Sequence, residues 1–316
     1  MQSGGATGRW GSIARLAVTA ACLVALVVSV DGSLLWTMMM RLTPLALLAA
    51  LGLHLAIILL LAWRWQTIVR ACGQSVTFDR ATRLTFMATF FNIILPFSVG
   101  GDIGRVWLGR QTGIDLATGT TVAILDRVSG LIALAILLGV SSLALPTDHI
   151  PIELRLAMVM SLPAMLSGLW LLRYLSNIGA KQRHWLAWLE RVSAKMKTFL
   201  HQPAALRFAL LPSLGGHVIA VLILYLSAQG LGMTLSFNDA LLLGPVILMA
   251  SMLPLSIGGW GLRETAAIVV LSIAGIASEQ ALAMALIFGI TQLMVSGAGS
   301  ILYLGRTGLR FGGSRP

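Results

Sequence analysis

The sequence predicts an all-α polytopic integral membrane protein with six full transmembrane helices and two re-entrant helical hairpins in an inverted repeat. Three observations lead to this fold class. Hydrophobic residues make up 57% of the 316 residues and charged residues only 10%, whereas an ordinary soluble domain carries about 25% charged residues. Apolar windows long enough to cross a bilayer recur along the chain, and two further apolar regions are interrupted by matching Pro and Gly residues. The composition excludes soluble globular, disordered and collagen-like proteins.

Six apolar windows have the length of about 20 residues that one bilayer crossing needs. They fall near residues 12–30, 44–63, 117–145, 154–173, 207–228 and 279–304. The first window follows Arg9 and Arg15 and therefore also fits a signal peptide. Because no clear small-residue cleavage site follows Val30, we favour a retained helix.

Two other apolar regions, residues 82–112 and 238–277, do not have the pattern of single spans. Their centres carry the sequences LPFSVGG at 95–101 and LPLSIGG at 253–259. Proline removes a helical hydrogen-bond donor and glycine lets the backbone turn, so each region is predicted to form a helix, a break and a second helix. The residues of the two breaks are Pro96, Ser98, Gly100, Gly101, Pro254, Ser256, Gly258 and Gly259.

The two breaks also match each other at a constant offset. Residues 95–105 and 253–263 agree at six of eleven positions with an offset of 158, and the same shift carries the spans 44–63 and 117–145 onto other predicted spans. Three full crossings between the hairpins would invert the second half, and inverted repeats with interrupted helices are typical of transporters. The alternative is that Pro and Gly only kink ordinary membrane helices.

The distribution of basic residues predicts the topology. Lysine and arginine total 22 against 11 acids, a formal net charge of +11. With a cytoplasmic N-terminus and two re-entrant hairpins, 18 basic residues, Arg64 and Arg105 among them, fall inside, while Arg41, Arg155 and Arg263 fall outside and Arg127 lies within a span. Membrane proteins retain their positive loops in the cytoplasm, so the excess indicates topology rather than a nucleic-acid partner. In the alternative, one broken region crosses the bilayer fully. One terminus would then lie outside, and the basic residues would be distributed over both sides of the membrane.

We therefore expect one membrane domain in a bacterial inner membrane with both termini in the cytoplasm. The domain covers residues 12–305, with halves of approximately 12–145 and 154–304, between cytoplasmic tails at 1–11 and 306–316. The linker 181–202 places its apolar residues at helical spacing among Lys, Arg and His. This pattern favours an amphipathic helix on the inner leaflet; the alternative is a solvated basic linker.

Charged residues near the two breaks are the candidates for substrate binding, because an ionisable group inside a bilayer is costly unless it is paired or hydrated. Arginine binds phosphate through planar, bidentate donors, and a helix N-terminus attracts anions. The acids would position the arginines or bind an amine of the ligand. The alternative, weighed most closely for Asp126 and Arg127, is ion pairs that only hold helices together. The candidates are Asp102, Arg105, Asp126, Arg127, Arg263 and Glu264.

The remaining polar residues near the breaks predict structural roles. We expect Asn92, Ser98, Ser251 and Ser256 to satisfy backbone groups that lose their helical partners, and His54 to be a packed, hydrogen-bonded residue. The sequence contains no metal-spaced His or Cys cluster and no recognisable nucleophile with its base. We therefore expect no enzyme activity, no metal and no cofactor.

The motifs around the breaks resemble the flippase-like membrane domain of lysylphosphatidylglycerol synthases and of their stand-alone relatives. The resemblance covers roughly residues 12–305 and rests on Asn92, Leu95-Pro96, Gly100-Gly101-Asp102 with Arg105, Asp126-Arg127 with Gly130, and Leu253-Pro254 with Ser256, Gly258-Gly259, Gly261 and Glu264. It implies a protein that moves or exposes a lipid, such as an aminoacyl-phospholipid, a hopanoid-related lipid or a polyprenyl-linked sugar. The synthases carry a cytosolic transferase domain, whereas this chain ends at Pro316, so transferase activity is not implied.

The sequence thus predicts a lipid flippase whose partners are a membrane lipid substrate and a lipid-synthesising enzyme. From another functional class, the alternative is a membrane subunit that does not transport but scaffolds or regulates a lipid-modifying enzyme. The lipid, the direction of movement, the coupling ion and the oligomeric state stay open.

Overall fold

The protein is all-helical throughout the residues that the computed structural model describes, which are 16–22, 24–26, 28, 30–95, 100–111, 113–145, 150–178, 192, 194–199, 201–253 and 255–307. The principal α-helices of this part are, in chain order, α1 (Leu16–Leu26), α2 (Gly32–Met39), α3 (Pro44–Ala71), α4 (Phe78–Ile94), α5 (Gly100–Gln111), α6 (Leu116–Ala144), α7 (Ile152–Ile178), α8 (Pro203–Gly230), α9 (Phe237–Met252), α10 (Leu262–Leu271) and α11 (Ser278–Thr307).

Four of these helices, α3, α6, α8 and α11, are long and apolar enough to cross a membrane. At about 1.5 Å per residue, the 28 residues of α3 extend for about 42 Å, which exceeds a hydrocarbon core of about 30 Å. The prediction of an all-α integral membrane protein is confirmed. α1 and α7 correspond to the other two predicted spans, whose crossing stays a prediction.

Both broken regions form a helix, a break and a second helix, as predicted. α4 and α5 contain 17 and 12 residues, and α9 and α10 contain 16 and 10. At about 1.5 Å per residue none of these four reaches about 30 Å. The two helices of each region pack against each other. Pro96, Ser98 and Pro254 lie outside the described residues.

The turns before the broken regions repeat the similarity between the two halves of the chain. Gly73 and Gly232 follow the helices α3 and α8, and both have positive φ angles, +84° and +74°. Thr77 and Ser236 then accept a hydrogen bond from the backbone N–H of the third residue after them, which caps the N-termini of α4 and α9. These pairs are offset by 159, and the breaks by 158, because α9 is one residue shorter than α4.

Other predicted boundaries need correction. α3 continues to Ala71, so Arg64 is a buried helical residue and not the loop charge that an apolar window ending at residue 63 predicts. Asp31 accepts hydrogen bonds from the backbone of Ser33 and Leu34, so a separate helix, α2, begins inside the predicted outer loop. Of the predicted linker 181–202, the structure describes residues 192, 194–199, 201 and 202. Residues 192 and 194–199 are helical, and Val192 and Phe199 are buried; the other linker residues lie outside the described part.

Candidate functional site

The broken regions and the long helices surround a cavity of about 300 Å³. Its walls come from α3, α4, α5, α6, α8, α9, the second break, α10 and α11. Many residues that line the cavity carry charged or hydrogen-bonding side chains. They are His54, Arg64, Thr89, Asn92, Asp102, Arg105, Asp126, Arg127, Ser213, His217, Ser251, Ser256, Arg263 and Gln292.

Asp126 on α6 lies between two arginines that come from different helices. Its Oδ1 accepts from Arg64 Nε at 2.7 Å, and its Oδ2 accepts from Arg105 Nη1 at 3.3 Å. Arg64 Nη1 also donates to Ser213 Oγ at 2.9 Å, which links α3 to α8. The three charged side chains are at most 9% exposed, so their mutual pairing offsets the cost of burying them.

The neighbouring residue, Arg127, forms the second ion pair between α5 and α6. Its Nε donates to Asp102 Oδ2, and 39% of the Arg127 side chain remains exposed. Asp102 lies in the first turn of α5, where the positive end of the helix dipole favours a carboxylate. The neighbours Asp126 and Arg127 therefore pair with residues of α5: Asp126 pairs with Arg105, and Arg127 pairs with Asp102.

Glycine permits the close approach that brings these charges together. A Cβ on Gly101 would lie 2.0 Å from the Ala88 carbonyl oxygen, so α4 and α5 pack at a distance that only glycine allows. The backbone N–H of Gly101 donates to Asn92 Oδ1 at 2.8 Å, which is the backbone role predicted for Asn92. At the second break, a Cβ on Gly258 would lie 2.7 Å from the Ile93 carbonyl oxygen, so the two broken regions meet there.

Arg263 and Glu264 form a separate ion pair after the second break. Arg263 Nε donates to Glu264 Oε1 at 3.0 Å, and the exposed fractions of the two residues are 2% and 0%. The Arg263 guanidinium lies 4.9 Å from the Trp260 ring centroid and 5.6 Å from that of Phe288. A Cβ on Gly289 would lie 2.2 Å from Arg263 Nη2, so this guanidinium also needs a glycine beside it.

At the second break, the helix that follows the Gly-Gly pair does not begin directly at the pair. α10 begins at Leu262, after the turn at Gly261. The carboxylate of Glu264 accepts from the Gly261 N–H at 2.7 Å. The Glu264 side chain therefore occupies a backbone donor at the N-terminus of α10, where a helix would otherwise attract an external anion.

The structure brings five of the six predicted binding residues to the cavity wall: Asp102, Arg105, Asp126, Arg127 and Arg263. Glu264 does not line the cavity and lies behind Arg263 as its partner. Of the described break residues, Ser256, Gly258 and Gly259 line the cavity, whereas Gly100 and Gly101 pack between the helices.

Sequence reasoning missed Arg64, Ser213, His217 and Gln292. Arg64 was visible as a charge at the edge of an apolar window, but only its contact with Asp126 shows that it belongs to the site. His217 Nε2 lies 2.9 Å from the carbonyl oxygen of Gly130 on α6, a contact between halves that no local pattern indicates. His54 is packed and hydrogen-bonded as predicted, with its Nδ1 3.1 Å from the Ala50 carbonyl oxygen.

The cavity has two chemically different ends. The arginine end consists of Arg64, Arg105 and Arg127 with Asp102 and Asp126, which leaves one formal positive charge in excess. The histidine end consists of His54, Phe288, Gln292 and Arg263, and Glu264 pairs with Arg263 behind the cavity wall. His54 and Arg64 are ten residues apart on α3, which corresponds to about 15 Å along the helix axis.

The arginine end is suited to binding an anion such as phosphate. Guanidinium groups donate in pairs to phosphate oxygens, and a water-poor site strengthens such bonds. Among the described residues, no group of three or more His, Cys, Asp or Glu residues is arranged to hold a metal ion.

Comparison with known proteins agrees with this architecture. Residues 12–299 match the family described as the lysylphosphatidylglycerol synthase TM region. A UPF0104 membrane protein of Methanothermobacter thermautotrophicus is 23% identical over 270 residues, which cover 75% of this chain and 77% of that protein. The family match spans the long helices, both broken regions and the cavity between them. The chain belongs to the family of the lysylphosphatidylglycerol synthase TM region.

Proposed function

We propose that the protein is a lipid flippase that moves a lipid with a phosphate-bearing head group between membrane leaflets. The observation that carries the proposal is the arginine end of the cavity, where, among the described residues, three buried or half-buried arginines lie beside two aspartates. An excess positive charge inside an apolar protein is costly unless an anion neutralises it. A phosphate group supplies that anion. Arg105, Arg127 and Arg263 are the proposed contacts with the head group, and Arg105 and Arg127 are the ones at the phosphate.

The acids have a supporting role in this proposal. Asp126 holds Arg64 and Arg105, and Asp102 holds Arg127, while Glu264 holds Arg263. Each carboxylate therefore fixes a guanidinium before the lipid arrives, so less conformational entropy is lost on binding. Asp102 and Asp126 also line the cavity and would be the groups to sense an amine of the substrate or a coupling proton.

The proposed topology has six full spans and two re-entrant hairpins in inverted halves, with both termini in the cytoplasm of a bacterial inner membrane. Each of the helices α4, α5, α9 and α10 is too short to cross alone, and the two helices of each region pack side by side, which favours hairpins over broken crossings. The equivalent turns at Gly73 and Gly232 favour a repeat of one helical plan. Many transporters form their substrate site from broken helices at the interface of such repeats.

The candidate substrates are an aminoacyl-phospholipid, a hopanoid-related lipid and a polyprenyl-linked sugar, and the proposed partner is the enzyme that synthesises the lipid. The sequence carries no phosphate-loop motif. We therefore propose that an ion gradient, or consumption of the lipid in one leaflet, drives its movement.

Reconstitution tests the proposal. Liposomes that contain the purified chain should move fluorescent phospholipid analogues between leaflets faster than empty liposomes, as measured by quenching of the outer leaflet. Equal rates for protein-containing and empty liposomes across all candidate lipids would contradict a flippase. Co-purification with a lipid-modifying enzyme whose activity needs surface residues, and not cavity residues, would instead favour a scaffolding subunit.

A further inference from the structure

The histidine end of the cavity contains hydrogen-bonding groups that the ion pairs do not use. His54 is 2% exposed, and its Nε2 has no hydrogen-bond partner among the described residues. Ser256 on the second break lines the same cavity and is 1% exposed, and its Oγ likewise has no such partner. A buried polar atom without a partner costs about 1–3 kcal/mol, so two of them lining one cavity point to a ligand that supplies the missing bonds.

The contacts of His54 define what its free nitrogen offers. Its Nδ1 lies 3.1 Å from the Ala50 carbonyl oxygen and 3.2 Å from Thr291 Oγ1. Because a carbonyl oxygen only accepts, Nδ1 carries the proton in this contact and Nε2 of the neutral ring is left as an acceptor. The ring packs edge-on against Phe288 with centroids 4.8 Å apart, which fixes its direction. His54 therefore presents one acceptor to a ligand that donates a hydrogen bond.

The charges at this end argue against an ammonium group as that donor. The Arg263 guanidinium contacts the same Phe288 ring as His54, so a second cation here would be repelled. Glu264 is already occupied by Arg263 and by the Gly261 N–H. Asp102 and Asp126, the carboxylates among the described lining residues, both belong to the arginine end. An ammonium at the histidine end would thus lack a counter-ion.

A hydroxyl group meets these conditions. It donates to His54 Nε2 without adding charge, and Ser256 and Gln292 supply further uncharged donors and acceptors. We propose that the histidine end binds hydroxyl groups of the head group, so that the transported lipid carries a sugar or another polyol on its phosphate. This inference rests on the proposed function, because the phosphate is assigned to the arginine end.

Binding of short-chain lipids by the detergent-purified full chain tests the inference. The probes are dihexanoyl-phosphatidylinositol (phosphate and polyol), dihexanoyl-phosphatidic acid (phosphate alone) and dihexanoyl-phosphatidylethanolamine (phosphate and amine), with Kd from calorimetry. We expect the inositol lipid to bind about tenfold more tightly than the other two, since two extra hydrogen bonds correspond to about that ratio.

Variants show whether that preference comes from the histidine end. His54→Phe keeps an aromatic ring beside Phe288 but removes Nε2, and Ser256→Ala removes the free hydroxyl. Each should weaken binding of the inositol lipid about threefold to tenfold and leave binding of phosphatidic acid unchanged. Ser296→Ala is the matched control, because Ser296 is equally buried but donates to the Gln292 carbonyl of its own helix; it should change neither Kd.

The outcomes separate this inference from the proposed function. Equal affinities for the three probes, tightest binding of the amine lipid, or equal losses for inositol lipid and phosphatidic acid in both variants would overturn the inference alone. If Arg105→Ala weakens all probes, the proposed phosphate site stands regardless. If no probe binds, or if Arg105→Ala leaves the Kd of every probe unchanged, both the inference and the proposed function are contradicted.

Discussion

Asp126 holds two guanidinium groups that come from α3 and from the first broken region. Arg64 and Arg105 are both 7% exposed, and Asp126 is the carboxylate that each contacts. Removing one partner of a buried ion pair leaves an uncompensated charge, which costs about 3–5 kcal/mol. The stability of the cavity therefore depends on a single carboxylate.

We expect Asp126→Asn to lower the free energy of unfolding by about 3 kcal/mol, because two buried guanidiniums lose their counter-ion. The measurement is denaturant unfolding of the purified protein in detergent. Asp79→Asn is the matched control: Asp79 pairs with Arg83 on the surface, its side chain is 59% exposed, and such pairs contribute at most about 1 kcal/mol. Equal effects of the two substitutions would contradict the cluster.

The sequence predicted most of the charged residues that line the cavity, but not which of them pair with each other. The rarity of charge in apolar segments identified Asp102, Arg105, Asp126, Arg127 and Arg263 as a group that the structure brings to one cavity. Their partners were not predictable, since the pairs join residues 62, 21 and 25 positions apart. Arg64 was assigned to a loop because hydropathy marks where an apolar window ends, and not where a helix ends.

At the scale of elements, the first broken region depends on the contact between α4 and α5. The Gly101 Cα lies so close to α4 that an added Cβ would come within 2.0 Å of the Ala88 carbonyl oxygen and 2.6 Å of Asn92 Cγ. Because one of these neighbours is backbone, the helices must separate to accept any side chain. That separation would also move Asp102 and Arg105, which follow on α5.

We therefore expect Gly101→Ala to destabilise the protein by about 2 kcal/mol or more, in line with overpacked sites. Gly139→Ala is the control on α6, where an added Cβ meets no atom within 4 Å; alanine should there stabilise the helix by up to about 1 kcal/mol. Thermal unfolding of both variants measures the difference. A Gly101→Ala protein as stable as wild type would show that α4 and α5 do not pack this closely.

The re-entrant arrangement predicts that both ends of the first broken region face the cytoplasm. Single cysteines at Asp79 and Gln111, which are exposed at the start of α4 and the end of α5, should react with an impermeant maleimide only in opened cells, in a chain that lacks Cys22 and Cys72. A cysteine at the exposed Glu153 should react in intact cells. Labelling of Gln111→Cys from outside would mean that this region crosses the bilayer.

At the scale of the whole molecule, the two halves share a plan but differ in their charges. Thr77 and Ser236 cap equivalent helices, and Arg105 and Arg263 follow equivalent breaks. Asp126 and Arg127 correspond by the 158-residue offset to Met284 and Ala285, which are apolar. The inside of the cavity is therefore asymmetric, with the Asp126 and Asp102 ion pairs at one end and uncharged hydrogen-bonding groups beside the Arg263–Glu264 pair at the other.

The repeat was readable from the sequence because Pro and Gly impose local backbone geometry that a motif records. Gly258 has a φ of +58° and packs against the backbone of Ile93. Both features require glycine at this break. The contacts between the halves were not readable, such as Arg64 with Ser213 and His217 with Gly130, because they join residues that are far apart in the sequence.

The measurement that tests the central claim most directly is the rate of inter-leaflet lipid movement in liposomes for two arginine variants of the same helix. Arg105 on α5 is buried in the cavity, whereas Arg110, five residues later, is exposed. If phosphate binding at the cavity carries the lipid, Arg105→Ala should slow movement by about tenfold or more, as loss of a charge-assisted hydrogen bond implies. Arg110→Ala should keep the wild-type rate. Equal rates for the two variants, with both proteins folded, would contradict transport through this cavity.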